Sequence, residues 1–171
     1  MSSTIDDFTN FFAPKKQKEA FLINQSINEA LKILNRVLED ENINIKFDIV
    51  KDLEIFGLKN ELTQVLLNLI NNSKDAFVQK NITNKEITIK TYTKAKDDFV
   101  YLEYIDNAQG LSKELFDKIY EPYFTTKHQS IGTGLGLFIC KIIIENSFKG
   151  EIMHENISNG LKFTLKFPKI V

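Results

Sequence analysis

The 171-residue chain is 43% hydrophobic and 26% charged, the balance of one soluble domain with a real core. Its net charge of −1 excludes a global field for nucleic acid or an acidic membrane, and with Arg36 as the only arginine, phosphate charge must be met by lysine, backbone N–H or metal. One cysteine, Cys140, excludes an internal disulfide and fits a reducing, cytoplasmic setting; the start MSSTIDDF is no signal peptide, and no apolar run reaches the ~20 residues that span a bilayer.

In chain order, residues 4–13 put Ile5, Phe8, Phe11 and Phe12 on one helical face, and Pro14 stops the run. That face is strongly apolar for a terminus, which suggests a partner missing from this chain or supplied by another subunit. A second helix is expected over 25–40, with Ile27, Ala30, Leu31, Leu34, Val37 and Leu38 on one stripe. Ile43, Ile45, Phe47 and Ile49 alternate as a strand, and 53–58 reads as another, ended by Gly57. Asn60 is expected to cap a long helix running to about Gln79. Segments 86–93 and 99–105 form a hairpin through the charged turn 94–98. After a loop region, a helix is expected from Gly134 to Asn146, closed by Gly150. A last hairpin pairs 151–155 with 161–167 and turns at 158–160. Helices alternate with mostly antiparallel strands, which gives an α+β two-layer sandwich.

Helix 60–79 has an ordinary core stripe in Leu62, Val65, Leu66, Leu69, Ala76 and Phe77. Its other side carries Gln64, Asn68, Asn72, Asp75 and Gln79, whose spacing sets them in one row. Asparagine is a poor helix former, and a solvated face would normally use Glu or Lys. The row therefore reads either as a metal and phosphate site, since an amide oxygen is a hard ligand suited to Mg²⁺, or as one more sign of an Asn-rich composition.

Two loops concentrate the glycines: Gly110, Gly132, Gly134 and Gly136 are four of the seven in the chain. Asp106, in the run Asp106-Asn107-Ala108-Gln109-Gly110, follows a strand and could accept a hydrogen bond from an adenine amino group; a plain Asx turn is the alternative. The run Gly132-Thr133-Gly134-Leu135-Gly136-Leu137 opens into an apolar helix, where glycines let backbone N–H groups approach a polyphosphate. Its spacing is neither the dinucleotide fingerprint nor a Walker A loop.

Taken as a set, these motifs resemble the histidine kinases. Asn68 to Asn72 with Asp75-Ala76 resembles their N box, Asp106 to Gly110 the G1 box, Tyr120 to Lys127 the F box, and Gly132 to Leu137 the G2 box. The resemblance covers about 15–168. It implies the Bergerat fold, a mostly antiparallel mixed sheet with helices on one face, and the cofactor pair ATP and Mg²⁺. It implies Asn72 as metal ligand, Asn68 supporting the metal–phosphate site, Asp75 and Gly110 lining the nucleotide site, and Asp106 holding adenine. Gly132, Thr133, Gly134, Leu135, Gly136 and Leu137 would wrap the phosphates. Thr126 and Lys127 would act from a lid at about 124–133, with Lys127 on the terminal phosphate and Phe124 packing the lid. Residues 1–14 look like the end of the dimerisation helix that precedes such a domain, with 15–171 as the catalytic domain. Two positions depart from the family: Ala108 stands where glycine is usual, which bears on the backbone there, and Ser73 replaces an alanine, with no consequence expected.

The acceptor histidine of that family lies in a helix and is followed by glutamate. His128 falls in a loop, and His154-Glu155 falls in a strand, so neither is expected to accept phosphate. The expected function is therefore the ATP-holding half of a sensor histidine kinase. Its partners would be the histidine-bearing dimerisation domain, a response regulator indirectly, and a second copy through 4–14, with no nucleic acid and no membrane for this piece. Three other readings were open. A gyrase- or chaperone-like ATPase needs a carboxylate base where Asn68 stands. An anti-sigma-type serine kinase does not suit the F-box run. A non-enzymatic module does not suit intact glycine loops.

Overall fold

The computed structural model describes residues 17–49, 52–125 and 134–171. Among these, β1 (Glu19–Leu22) runs straight into α1 (Ile23–Asp40), followed by β2 (Asn44–Ile49), β3 (Glu54–Gly57) and α2 (Lys59–Gln79). Next come β4 (Glu86–Thr93), β5 (Phe99–Asp106) and the short α3 (Lys113–Phe116). The chain ends with α4 (Gly136–Ile142), its π-helical continuation Ile143–Ser147, and the hairpin β6 (Glu151–Ile157) and β7 (Gly160–Pro168).

The main sheet has five strands in the order β2-β4-β5-β7-β6, with β2 parallel to β4 and every other pair antiparallel. β1 and β3 form a separate antiparallel pair. Strand alternation decides which side is covered. Ile87, Ile89, Leu102, Tyr104, Leu165 and Phe167 are buried under the helices. The opposite face carries a charge lattice, with Lys162 Nζ 3.8 Å from Glu103 and Lys46 Nζ 2.7 Å from Glu86. This is the expected two-layer sandwich, with helices on one face.

α1 buries Ile23, Ile27, Ala30, Leu34 and Leu38, and α2 buries Leu62, Val65, Leu66, Leu69, Ile70 and Phe77. Each of these side chains larger than alanine contributes about 1.5–3 kcal/mol of burial free energy before entropy is counted. Ser26 Oγ and Thr63 Oγ1 both donate to the Lys59 carbonyl, at 3.0 and 3.1 Å, which fixes α1 against the start of α2. The Tyr104 hydroxyl, fully buried on β5, lies 3.2 Å from the Leu69 carbonyl of α2 and so ties sheet to helix.

Several boundaries depart from the sequence expectation. Asn60 is not a cap: α2 begins at Lys59 after Leu58, with no side-chain cap bond, and its early N–H groups turn instead to the Leu58 carbonyl. α1 likewise starts two residues early, behind an uncapped Leu22. The helix expected from Gly134 starts at Gly136 and loosens into a π turn at Ile143. β1 and α3 were not foreseen; at four residues each they are too short to show a period. Residues 4–14, and most of the expected lid including Thr126, Lys127, His128, Gly132 and Thr133, lie outside the described residues.

Candidate nucleotide site

One side of α2 opens onto a cavity of about 950 Å³. The whole polar row reaches it: Gln64, Asn68, Asn72, Asp75 and Gln79 all line the space. Asp106, Ala108 and Gly110 line it from the end of β5, and Gly134, Leu135, Gly136 and Leu137 from the start of α4. Phe124 and Thr125 complete the rim, while Ile139, Leu161 and Phe163 supply apolar wall. Residues distant in sequence thus converge on one cavity, whose size fits a nucleotide-sized ligand.

Asp106 is 5% exposed. Burying a carboxylate requires donors, and two are present. Ser73 Oγ donates to Oδ2 at 2.6 Å, and the Ala108 N–H donates to Oδ1 at 3.0 Å. Behind them the Tyr104 hydroxyl donates to Ser73 Oγ at 2.8 Å. Burial pushes the Tyr104 hydroxyl well above its usual range, and the nearby Asp106 charge adds to the effect. The phenol therefore stays a proton donor, and the chain Tyr104–Ser73–Asp106 orients the carboxylate. Each carboxylate oxygen keeps a lone pair for a ligand donor.

Asn68 is held from two sides. Its Nδ2 donates to the Gly136 carbonyl at 3.3 Å, and Gln64 Nε2 donates to its Oδ1 at 3.3 Å. It is thus one link between α2 and α4, beside the contact of Cys140 Sγ with the Val65 carbonyl at 3.8 Å. Asp75 lies 3.7 Å from Lys74 Nζ.

The glycines do not share one reason. Gly134 has φ +71°, and a Cβ there would fall 2.4 Å from the Tyr123 carbonyl carbon. Among the described residues, a Cβ at Gly136 would meet only Asn68 Cγ, at 3.9 Å. Gly134 is required by the fold; Gly136 is not. Ala108 resolves the departure noted in the sequence: left-handed φ falls at Gln109 and Gly110, so alanine at 108 costs no backbone strain.

Sequence reasoning missed four residues here. Ser73, judged to be without consequence, holds Asp106. Tyr104 backs it. Lys80 Nζ lies 2.6 Å from both the Ala108 and Gly110 carbonyls. Asn156 of β6 accepts from the Leu111 N–H and donates to its carbonyl, both at 2.8 Å. For Ser73 a signal existed, because it shares a turn with Asn72 beside the row. For the others none did, since their partners, the Ser73 hydroxyl for Tyr104 and backbone atoms for Lys80 and Asn156, are set by tertiary contact.

His154 is half-buried on β6. Its Nε2 lies 2.8 Å from the Phe116 carbonyl and must donate to it, so Nδ1 is left to accept from the Tyr120 hydroxyl at 3.1 Å. Its place is in a strand, as expected. Among the described residues no group of three His, Cys, Asp or Glu side chains could hold a metal, and no helix is long and apolar enough to cross a membrane.

A sheet covered on one face, a glycine-framed helix start and a buried aspartate facing a row of amides define an ATP-binding domain of the histidine kinase type. The chain belongs to the histidine kinase-, DNA gyrase B- and HSP90-like ATPase family, whose profile matches residues 57–170. It is 32% identical over 161 residues to the sensor protein KdpD of Clostridium acetobutylicum, a match covering 91% of this chain and 17% of that protein. The catalytic domain of histidine kinase ThkA superposes with a TM-score of 0.77 at 32% identity, covering 90% of this chain and 97% of that one. A longer ThkA structure, in complex with the response regulator TrrA, superposes with a TM-score of 0.72 at 26% identity, covering 99% of this chain and 48% of that one. The chain spans 12% to 29% of the length of the first sequence relatives it matches.

Proposed function

We propose that this domain binds Mg²⁺–ATP in the 950 Å³ cavity and gives the γ-phosphoryl group to a histidine carried outside this chain, on the dimerisation domain of a cytoplasmic kinase core. The observation that carries this reading is the convergence of the α2 amide row, the buried Asp106 and the Gly134–Leu137 turn on one space.

Asp106 accepts from the adenine amino group; guanine would present an acceptor there and be repelled. The backbone of Gly134, Leu135, Gly136 and Leu137 turns N–H groups toward the phosphates. Asn72 offers its amide oxygen to Mg²⁺. The donor set suits that ion: hard neutral oxygens, with the negative charge coming from the ligand's phosphates. When bound, the ion neutralises phosphate charge during transfer. Asn68 sets the α4 start against α2, and Asp75 and Gly110 bound the site. Thr126, Lys127, Gly132 and Thr133 keep the phosphate-side roles that the resemblance implies, with Lys127 on the terminal phosphate.

The nucleophile lies elsewhere. With both ring nitrogens of His154 engaged at β6, it is a poor acceptor. Asn68 cannot serve as a general base for water, which argues against a hydrolytic ATPase. The ThkA–TrrA complex supports a response regulator as the onward partner. Residues 4–14 are the expected contact with the dimerisation domain or with a second copy.

The test mixes this chain with a histidine-bearing helical fragment and γ-labelled ATP. Acid-labile label on the fragment is expected. Acid-stable label, or phosphate released to water at an equal rate without the fragment, contradicts the reading.

A further inference from the structure

We infer that Lys80 is a positioning residue for the adenine side of the nucleotide, an inference that rests on the ATP-binding reading above. None of the four motifs contains it. Lys80 closes α2, with φ −97° and ψ 5°, and its side chain crosses to the loop after β5. There its ammonium lies 2.6 Å from the Ala108 carbonyl and 2.6 Å from the Gly110 carbonyl. Between those carbonyls the backbone is left-handed twice in succession, with φ 65° at Gln109 and 70° at Gly110. For glutamine that conformation is unfavourable, so the loop holds it only while something fixes both flanking peptide groups. A cation donating to both does so.

The rest of the loop is pinned independently. The Ala108 N–H bonds Asp106, and Asn156 bonds Leu111 through both its donor and its acceptor. Lys80 is the fastening that runs to α2, the helix that also carries Ser73 and Asn72. One rigid element thereby sets the metal-side amide, the hydroxyl on Asp106 and the turn beside Asp106. A loop already held in its bound shape avoids the ordering cost at binding. The effect should therefore reach the base and not the phosphates.

Lys80→Met keeps the apolar stem and removes the ammonium. Calorimetry should show ATP, ADP and adenosine all weakened by a common factor of about tenfold, with or without Mg²⁺, as loss of charge-assisted hydrogen bonds implies. Lys80→Arg should recover most of that factor. Amide hydrogen exchange at 107–111 in the empty protein should quicken in Lys80→Met and return to normal in Lys80→Arg. A loss confined to ADP and ATP would mean that Lys80 meets phosphate, and unchanged affinity with unchanged exchange would mean that it does nothing for the loop; either overturns the inference. Exchange is read without nucleotide, so a wild-type domain that bound no adenine compound would sink the functional reading separately.

Discussion

Ser73 Oγ donates to Asp106 Oδ2 across 2.6 Å, joining the helix that presents the amide row to the strand end that presents the carboxylate. Both residues are buried, at 2% and 5% exposure, so the bond is shielded from water. It makes the two halves of the cavity a single unit, and the proposed role of Asp106 as base reader depends on it.

Asp106→Asn tests that role. The amide can place a donor where the adenine amino group needs an acceptor. ATP affinity should fall by about tenfold to a hundredfold, while weak GTP binding changes little. Equal losses for the two nucleotides would mean that Asp106 does not read the base.

Ser73→Ala removes one donor from Asp106 and the acceptor of the Tyr104 hydroxyl, which keeps the Leu69 carbonyl at 3.2 Å. A loss of about 1–3 kcal/mol in unfolding free energy is expected from chemical denaturation, with the fold retained. An unchanged midpoint and slope would show the relay to be idle.

Gly134→Ala and Gly136→Ala separate two uses of glycine. At 134 the left-handed backbone and the 2.4 Å approach to Tyr123 leave no room, so stability should fall by at least about 1–2 kcal/mol. At 136 the added methyl meets ordinary contact at 3.9 Å, and a helix start gains up to ~1 kcal/mol from alanine. If glycine at 136 serves the phosphates, Gly136→Ala should be as stable as the native chain or more so, yet bind ATP more weakly. Unaltered binding would remove 136 from the phosphate turn.

Tyr104 gives a pH signature. Its folded pKa is raised above the ordinary 10.0, so the unfolded chain ionises first. The stability linked to this group is fully present below pH 10.0 and is lost as pH rises toward the folded value. Tyr92 and Tyr120 are raised as well, so the readout is a difference: wild type should lose stability faster above pH 10 than Tyr104→Phe. Parallel curves would show that Tyr104 ionises freely.

Much of this was legible before the fold was known, and the reasons are local. The α2 row could be read because helical spacing alone decides which of Gln64, Asn68, Asn72, Asp75 and Gln79 share a side. The β4–β5 and β6–β7 hairpins could be read because alternation and turn residues are adjacent in sequence. What stayed hidden depends on contacts across the chain. Asn60 has the right chemistry for a cap, but α2 starts before it, behind Leu58. Lys80 looks like any surface lysine until the Gln109–Gly110 turn brings two carbonyls to it. Asn68 has the same side chain as Asn72, and nothing local shows that its Nδ2 donates to the Gly136 carbonyl, 68 residues away.

The most direct measurement is calorimetric titration of ATP into the native chain and Asn72→Ala, each with and without Mg²⁺. The native chain should bind ATP more tightly with the ion, and Asn72→Ala should lose that gain while keeping the ion-independent affinity and its helical circular dichroism. A Mg²⁺ dependence identical in the two proteins would contradict the assignment of the α2 amides to a metal–phosphate site.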